Sequence, residues 1–166
     1  VILSACKQSN IPLIEDAAHS LGTTWHGKKI GTLGDIGCFS FQSYKMLNAG
    51  EGGIFITDDP ELFAKAVIMS GAYEHNWMKH QGDQVYFKKW QNKLPLYNLR
   101  MNNLSAALIN AQLPELGSRV QKGRLNHDFT AERLDKSPWI SVPAKLEPEQ
   151  RAPDSIQFNL VDMNST

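Results

Sequence analysis

Apolar and polar positions along the chain switch between two periods, and the switches mark its elements. "VILSACKQSN" places Val1, Ile2, Ala5 and Cys6 on one helical face, and Asn10 suits a left-handed stop. "IPLIED" comes next as a short apolar run. Ile11, Leu13 and Ile14 suit a strand buried on both faces, as in a parallel α/β sheet. "TTWHGKKIG" reads as a small hairpin turning at His26-Gly27. "DIGCFSF" and "GGIFITD" read as two more strands, joined by a loop that carries Lys45.

Helical periodicity then takes over. Asp58 or Asp59 caps a helix that has Pro60 in its first turn and Gly71 as its stop. The stretch from Ala72 to Asn98 is polar, aromatic and histidine-rich, and reads as a long functional or interface loop. "NNLSAALINAQL" is a strongly amphipathic helix, and a second helical stretch runs from about Glu115 to Lys136. Pro138, Pro143, Pro148 and Pro153 interrupt the C-terminal stretch, and "SIQFNLVDM" alternates like a half-buried strand. The expected division is a first domain over residues 1–124 and the start of a second over 125–166.

Charge changes this picture little. The 17 basic and 17 acidic residues cancel, so no basic field invites nucleic acid or an anionic membrane. No apolar run approaches the ~20 residues of a membrane span. Cys6 and Cys38 are too few for a disulfide scaffold, which points to a reduced, cytoplasmic setting, with Cys38 as a buried small residue. His75 and His80 lack a further ligand at zinc spacing, so no metal is expected. With no initiator methionine and an end at "VDMNST", the chain reads as an internal piece of a longer protein.

The candidate chemistry lies in "SFQSYKMLNAGEGG", residues 40–53. A lysine between apolar strands is either an ordinary surface cation or an amine that does chemistry. Glu15-Asp16 ends the first strand, where ligands bind in parallel α/β sheets, although Asp16 also suits a cap. Ser40 ends the next strand with a hydroxyl able to hold phosphate or a backbone group. The "GEGG" turn has open amides but is no P-loop. Lysine, carboxylate and phosphate donors together fit pyridoxal phosphate, which needs each of them. Such a lysine must shed its proton to act, so it needs a desolvated or cation-rich setting.

The motifs EDAAH, GDIGCFSF, K…GEGG and YN-x-RM resemble the DegT/StrS-type sugar aminotransferases over about Ile11 to Gln121. That resemblance implies part of a fold-type-I large domain, a mainly parallel sheet flanked by helices, plus the start of an α+β C-terminal domain. It implies Lys45 as the Schiff-base lysine and Asp16 as the acid at the pyridine nitrogen. His19, where many relatives carry glutamine, would lie beside the ring and its phenolic oxygen. Ser40 would contact the phosphate, and Asn98 would reach it from the neighbouring subunit of a homodimer. The implied reaction moves an amino group, with glutamate as donor, to the keto group of a nucleotide-linked sugar. The alternatives are a sugar dehydratase of the same family, in which histidine replaces the lysine, and a non-catalytic scaffold. Met46, where asparagine is common, and "SGAYEHNWMKH" depart from the pattern near the substrate region. The implied fold also has an upstream phosphate loop and ring-stacking residue, so this piece alone is expected to be inactive. Tyr73, Trp77 and Tyr86 read as core or interface residues.

Overall fold

A computed structural model describes residues 1–161 except 72, 74 and 148. Helix α1 (Ile2–Gln8) ends at Asn10, whose φ of 52° gives the expected left-handed stop. Three strands form the principal sheet: β1 (Ile14–Asp16), β4 (Ile36–Ser40) and β5 (Gly53–Ile56), in the order β1-β4-β5. β1 and β4 run parallel, whereas β4 and β5 are antiparallel. A parallel pair needs a long crossover, and residues 17–35 supply it. The sheet is therefore mixed within this chain. β1 lies at its edge, and Ile11 and Ile14 remain 59% and 61% exposed. The expectation of burial on both faces is not met there: β1 is an edge strand whose only partner among the described residues is β4.

The hairpin forms as expected. β2 (Thr24–Trp25) and β3 (Lys28–Lys29) meet at His26 and Gly27, both with positive φ. Two positive φ values in a two-residue turn match the right-handed twist of the flanking strands. The other edge of β2 pairs antiparallel with β7 (Glu149–Gln150), more than a hundred residues later.

Helix α2 (Pro60–Ser70) begins where the Asp59 carboxylate accepts from the Glu61 and Leu62 amides, and it ends at Gly71. The stretch after it is more ordered than its polar composition predicts. A 3-10 turn (Asn76–Lys79) and helix α3 (Gln84–Trp90) fold back onto α2. Trp77 and Phe87 stack with centroids 5.1 Å apart and join Ala64 and Ile68 in a core cluster. Trp77 is therefore core, Tyr86 packs against that cluster, and Tyr73 is exposed. The hidden signal was an Asp83 cap, which accepts from the Val85 amide, ahead of apolar residues at helical spacing.

Helix α4 (Asn103–Gln112) is capped by Asn102 and runs through a 3-10 turn into α5 (Leu116–Leu134). The expected division at 124/125 falls inside α5. β6 (Ile140–Ser141) pairs with β8 (Asn159–Leu160), the only part of "SIQFNLVDM" that forms a strand among the described residues. Residues 162 and 163 of that run lie outside them. Cys38 is half-buried rather than buried.

Glu61 joins α2 to α3. Lys89 donates to its carboxylate at 3.0 Å and the Trp90 indole at 2.8 Å, with Lys65 at 3.3 Å. The Lys89 hydrogen bond foremost, helped by Trp90 and Lys65, holds this carboxyl below its ordinary value of 4.5, while partial desolvation opposes the shift. A lowered folded-state pKa gives stability that is present above the ordinary value and lost as pH falls through the folded one. Glu61→Gln should therefore lower Tm at about pH 7, and the gap to wild type should shrink as pH falls below 4.5 and through the folded value. A gap that keeps its size over that fall would show that the carboxylate's charge is not what matters.

Candidate functional site

Strand alternation sorts the two acids at the end of β1. Glu15 points to one face of the sheet, where it accepts from the amides of Gly31, Leu33 and Gly34 at 2.9, 2.6 and 2.7 Å. Three amide donors occupy this carboxylate and shape the turn that feeds β4. Asp16 lies on the opposite face, in register with Cys38, and Ser40 comes two residues along β4 on that face. Its Oδ1 accepts from the Ala18 amide at 3.1 Å, so the capping reading holds locally. Oδ2 has no hydrogen-bond partner among the described residues and stands exposed at the carboxyl end of the strand. Ser40 Oγ accepts weakly from the Gln42 amide at 3.3 Å.

The loop from Phe41 to Gly52 carries Lys45 and is tightly closed. Phe41 donates to the Gly52 carbonyl, Ser43 to Gly50 and Ala49 to Phe41. Leu47 is fully buried between Phe41 and Ile109. Polar clamps from the helices add to this anchor. Gln112 Nε2 donates to the Asn48 carbonyl at 2.6 Å, and Arg119 Nη1 donates to Gln112 Oε1 at 2.8 Å and to the Met46 carbonyl at 3.3 Å. With the loop pinned on both sides of it, Lys45 is half-buried. Its Nζ lies 2.7 Å from His19 Nε2.

His19 Nδ1 in turn lies 3.1 and 3.2 Å from the two carboxylate oxygens of Asp154. Asp154 is 135 residues away in sequence, and its side chain is only 10% exposed, against 70% for His19. Arg124 of α5 donates to the Arg151 carbonyl, and the Thr23 hydroxyl accepts from the buried Ala152 amide at 2.9 Å. These bonds seat the segment beside the lysine loop. Lys45, Arg119, Lys122, His127 and Asp154 line an open cavity of about 490 Å³.

The structure thus brings Lys45 and His19 into contact and sets Asp16 and Ser40 on one sheet face. Asn98 does not join them. It forms an isolated antiparallel bridge with Gly71 at the end of α2, and no hydrogen bond or ion pair ties it to the other four among the described residues. Sequence reading missed Asp154, Gln112 and Arg119. Asp154 sits in a proline-broken stretch with no periodicity, and nothing local signals its partner. Gln112 and Arg119 lie seven apart, one at the end of α4 and one in the first turn of α5, a spacing equally common on a solvated face.

The sequence profile of the DegT/DnrJ/EryC1/StrS aminotransferase family matches residues 1–162, and the chain belongs to that family. It is 34% identical over 144 residues to the GDP-perosamine synthase of Escherichia coli O157:H7, covering 87% of this chain and 37% of that protein. It is 35% identical over 117 residues to the 3-amino-5-hydroxybenzoate synthase of Amycolatopsis mediterranei, covering 68% of this chain and 27% of that protein. The chain thus spans about a third of the length of these relatives. The fold matches an E. coli GDP-4-keto-6-deoxy-D-mannose-3-dehydratase solved with bound hydrated pyridoxal phosphate. The TM-score is 0.80 at 24% identity, over 99% of this chain and 44% of that one. The architecture is that of fold-type-I aminotransferases.

Glu15→Ala should unfasten the turn at residues 31–34. Hydrogen bonds to a charged group are worth about 1.5–3 kcal/mol each, and their effects overlap here, so a loss of at least about 2 kcal/mol in urea unfolding is expected. A loss under roughly 0.5 kcal/mol would mean that water replaces the carboxylate at no cost.

Proposed function

We propose that the protein transfers an amino group, using pyridoxal phosphate, from an amino-acid donor such as glutamate to the keto group of a nucleotide-linked sugar. The observation that carries this reading is the contact of Lys45 Nζ with His19 Nε2 at 2.7 Å, on a loop entered from Ser40. The donor set fits the cofactor. Lys45 offers the amine that holds it, Asp16 an exposed carboxylate oxygen for the pyridinium nitrogen, and Ser40 a hydroxyl for the phosphate. When bound, the cofactor supplies an electron sink for the carbon that loses its proton.

The chain's own residues do the rest. Asp16 would face the ring nitrogen and favour its protonated form. Lys45, with its amine free, takes the proton from the donor's α-carbon and returns one to the sugar carbon. Overall the donor's C–N bond is exchanged for a C=O bond and the sugar's C=O for C–N, so no external oxidant is needed. His19 borders the reacting amine. Asn98, set apart from Lys45 within one chain, suits a phosphate contact reaching into the site of a second copy, as in a homodimer with shared sites.

Support for the substrate class comes from the family and from relatives named for amino sugars. The free Cys6 and Cys38 fit a reducing cytoplasm. The dehydratase alternative is disfavoured by Lys45 itself, since the family resemblance puts histidine at that position in such enzymes. Residues 1–124 serve in this reading as part of the cofactor domain, with 125–166 opening the second. The chain alone is expected not to transaminate, given the open β1 edge with its exposed Ile11 and Ile14.

Borohydride reduction of the whole protein in the presence of pyridoxal phosphate, with peptide mapping afterwards, should fix the label on Lys45. Label on Lys28, Lys29 or Lys65 instead would sink the assignment. Asp16→Asn should keep the fold and slow the half-reaction with glutamate by roughly 10²–10³-fold, the scale of one preorganised electrostatic partner. A wild-type rate in that variant would remove Asp16 from its role.

A further inference from the structure

Asp154 has no part in the proposed amino transfer, yet it is nearly buried and both of its oxygens face His19. An ionised carboxylate only accepts hydrogen bonds, so His19 Nδ1 must carry a proton to bond it. A neutral imidazole then has its lone pair on Nε2, the atom 2.7 Å from Lys45 Nζ. A lysine ammonium only donates, so this tautomer alone gives the Lys45 contact an acceptor. We propose that Asp154 is a positioning residue that keeps the proton of His19 on Nδ1, so that Nε2 can take the proton that Lys45 sheds.

The step balances without a co-reactant. One N–H bond of the Lys45 ammonium breaks, and its electron pair stays on Nζ as the nucleophilic lone pair. An N–H bond forms at His19 Nε2, and the positive charge moves from lysine to imidazole, opposite the Asp154 carboxylate. The new charge then lies 3.1 Å from a carboxylate oxygen. Ser155 Oγ donates to Asp154 Oδ1 at 3.2 Å and helps hold the carboxylate in place. Seating of the segment is independent of the carboxylate. A Cβ at Gly123 would come within 2.7 Å of the Pro153 carbonyl oxygen, so glycine in α5 is what lets the backbone next to Asp154 approach.

This proposal rests on Lys45 acting as a nucleophile, but its first test does not need the cofactor. The ¹⁵N-labelled imidazoles of the whole, cofactor-free protein are read by long-range ¹H–¹⁵N correlation at about pH 8, above the ordinary histidine range. The His19 signal is assigned by its loss in His19→Gln. Wild-type His19 should show a protonated Nδ1 and a bare Nε2. In Asp154→Asn the side-chain amide can donate to Nδ1, so the proton should move to Nε2. The same variant should condense with pyridoxal phosphate at Lys45 roughly 10–100-fold more slowly, by analogy with the loss when the carboxylate partner of a metal-ligating histidine is removed.

A bare Nδ1 in the wild type overturns the proposal, whether or not any variant folds. So does an Asp154→Asn protein that keeps both the Nδ1–H signal and the wild-type condensation rate. If the tautomer is as expected but the wild type takes up no pyridoxal phosphate, the cofactor reading fails and the role of Asp154 in fixing the tautomer stands.

Discussion

Burial of Leu47 fixes where Lys45 can be. A loop of a dozen residues between antiparallel strands would ordinarily sample many shapes, and a long flexible lysine on it would sample more. Leu47 enters the cluster with Phe41 and Ile109, two residues beyond Lys45, and is fully buried. Burying a leucine is worth about 1.5–3 kcal/mol, enough to select one loop shape over several competing ones. The Gln112 and Arg119 contacts then satisfy carbonyls that this shape turns inward. An apolar anchor thus sets the position of a polar group, and the reach of Lys45 to His19 is its consequence.

A second constraint brings distant segments to that loop. The crossover between β1 and β4 packs against α5 where Gly22 lies, and a Cβ there would come within 2.6 Å of Val120 Cγ2. Gly123, one turn further along α5, admits the Pro153 backbone. Two absent side chains therefore let three segments converge around His19. A glycine inside a helix costs roughly 1 kcal/mol of helix propensity against alanine. Gly123 is where that cost is offset by close approach, whereas nothing lies within 4 Å of a Cβ at Gly117.

Local signals are readable in the sequence wherever the physics is local. The Asp59 cap, the Asn10 stop, the His26-Gly27 turn and helix α4 depend on neighbours within a few residues, and each forms where the pattern puts it, although Leu104 and Leu108 of α4 stay exposed. The run after Gly71 misleads because its composition is polar while its few aromatics do the packing. Trp77 and Phe87 bury themselves against α2, and the polar residues between them face solvent. β1 misleads for a different reason. An apolar run reports what a strand can bury, and only its neighbours decide what it does bury.

The site divides along the same line. Lys45, Asp16, His19 and Ser40 stand out because strand ends and a glycine turn frame them within thirty residues. Their division of labour does not. "ED" offers two acids of equal charge, and only the pleat separates Glu15, consumed by three amides, from Asp16, left with an open oxygen. Asp154 lies further still from any local cue. Its meaning comes from the second nitrogen of His19, which sequence cannot orient. A histidine beside a lysine has two tautomers and one useful direction, and a carboxylate on its far side is the simplest chemical means of choosing between them.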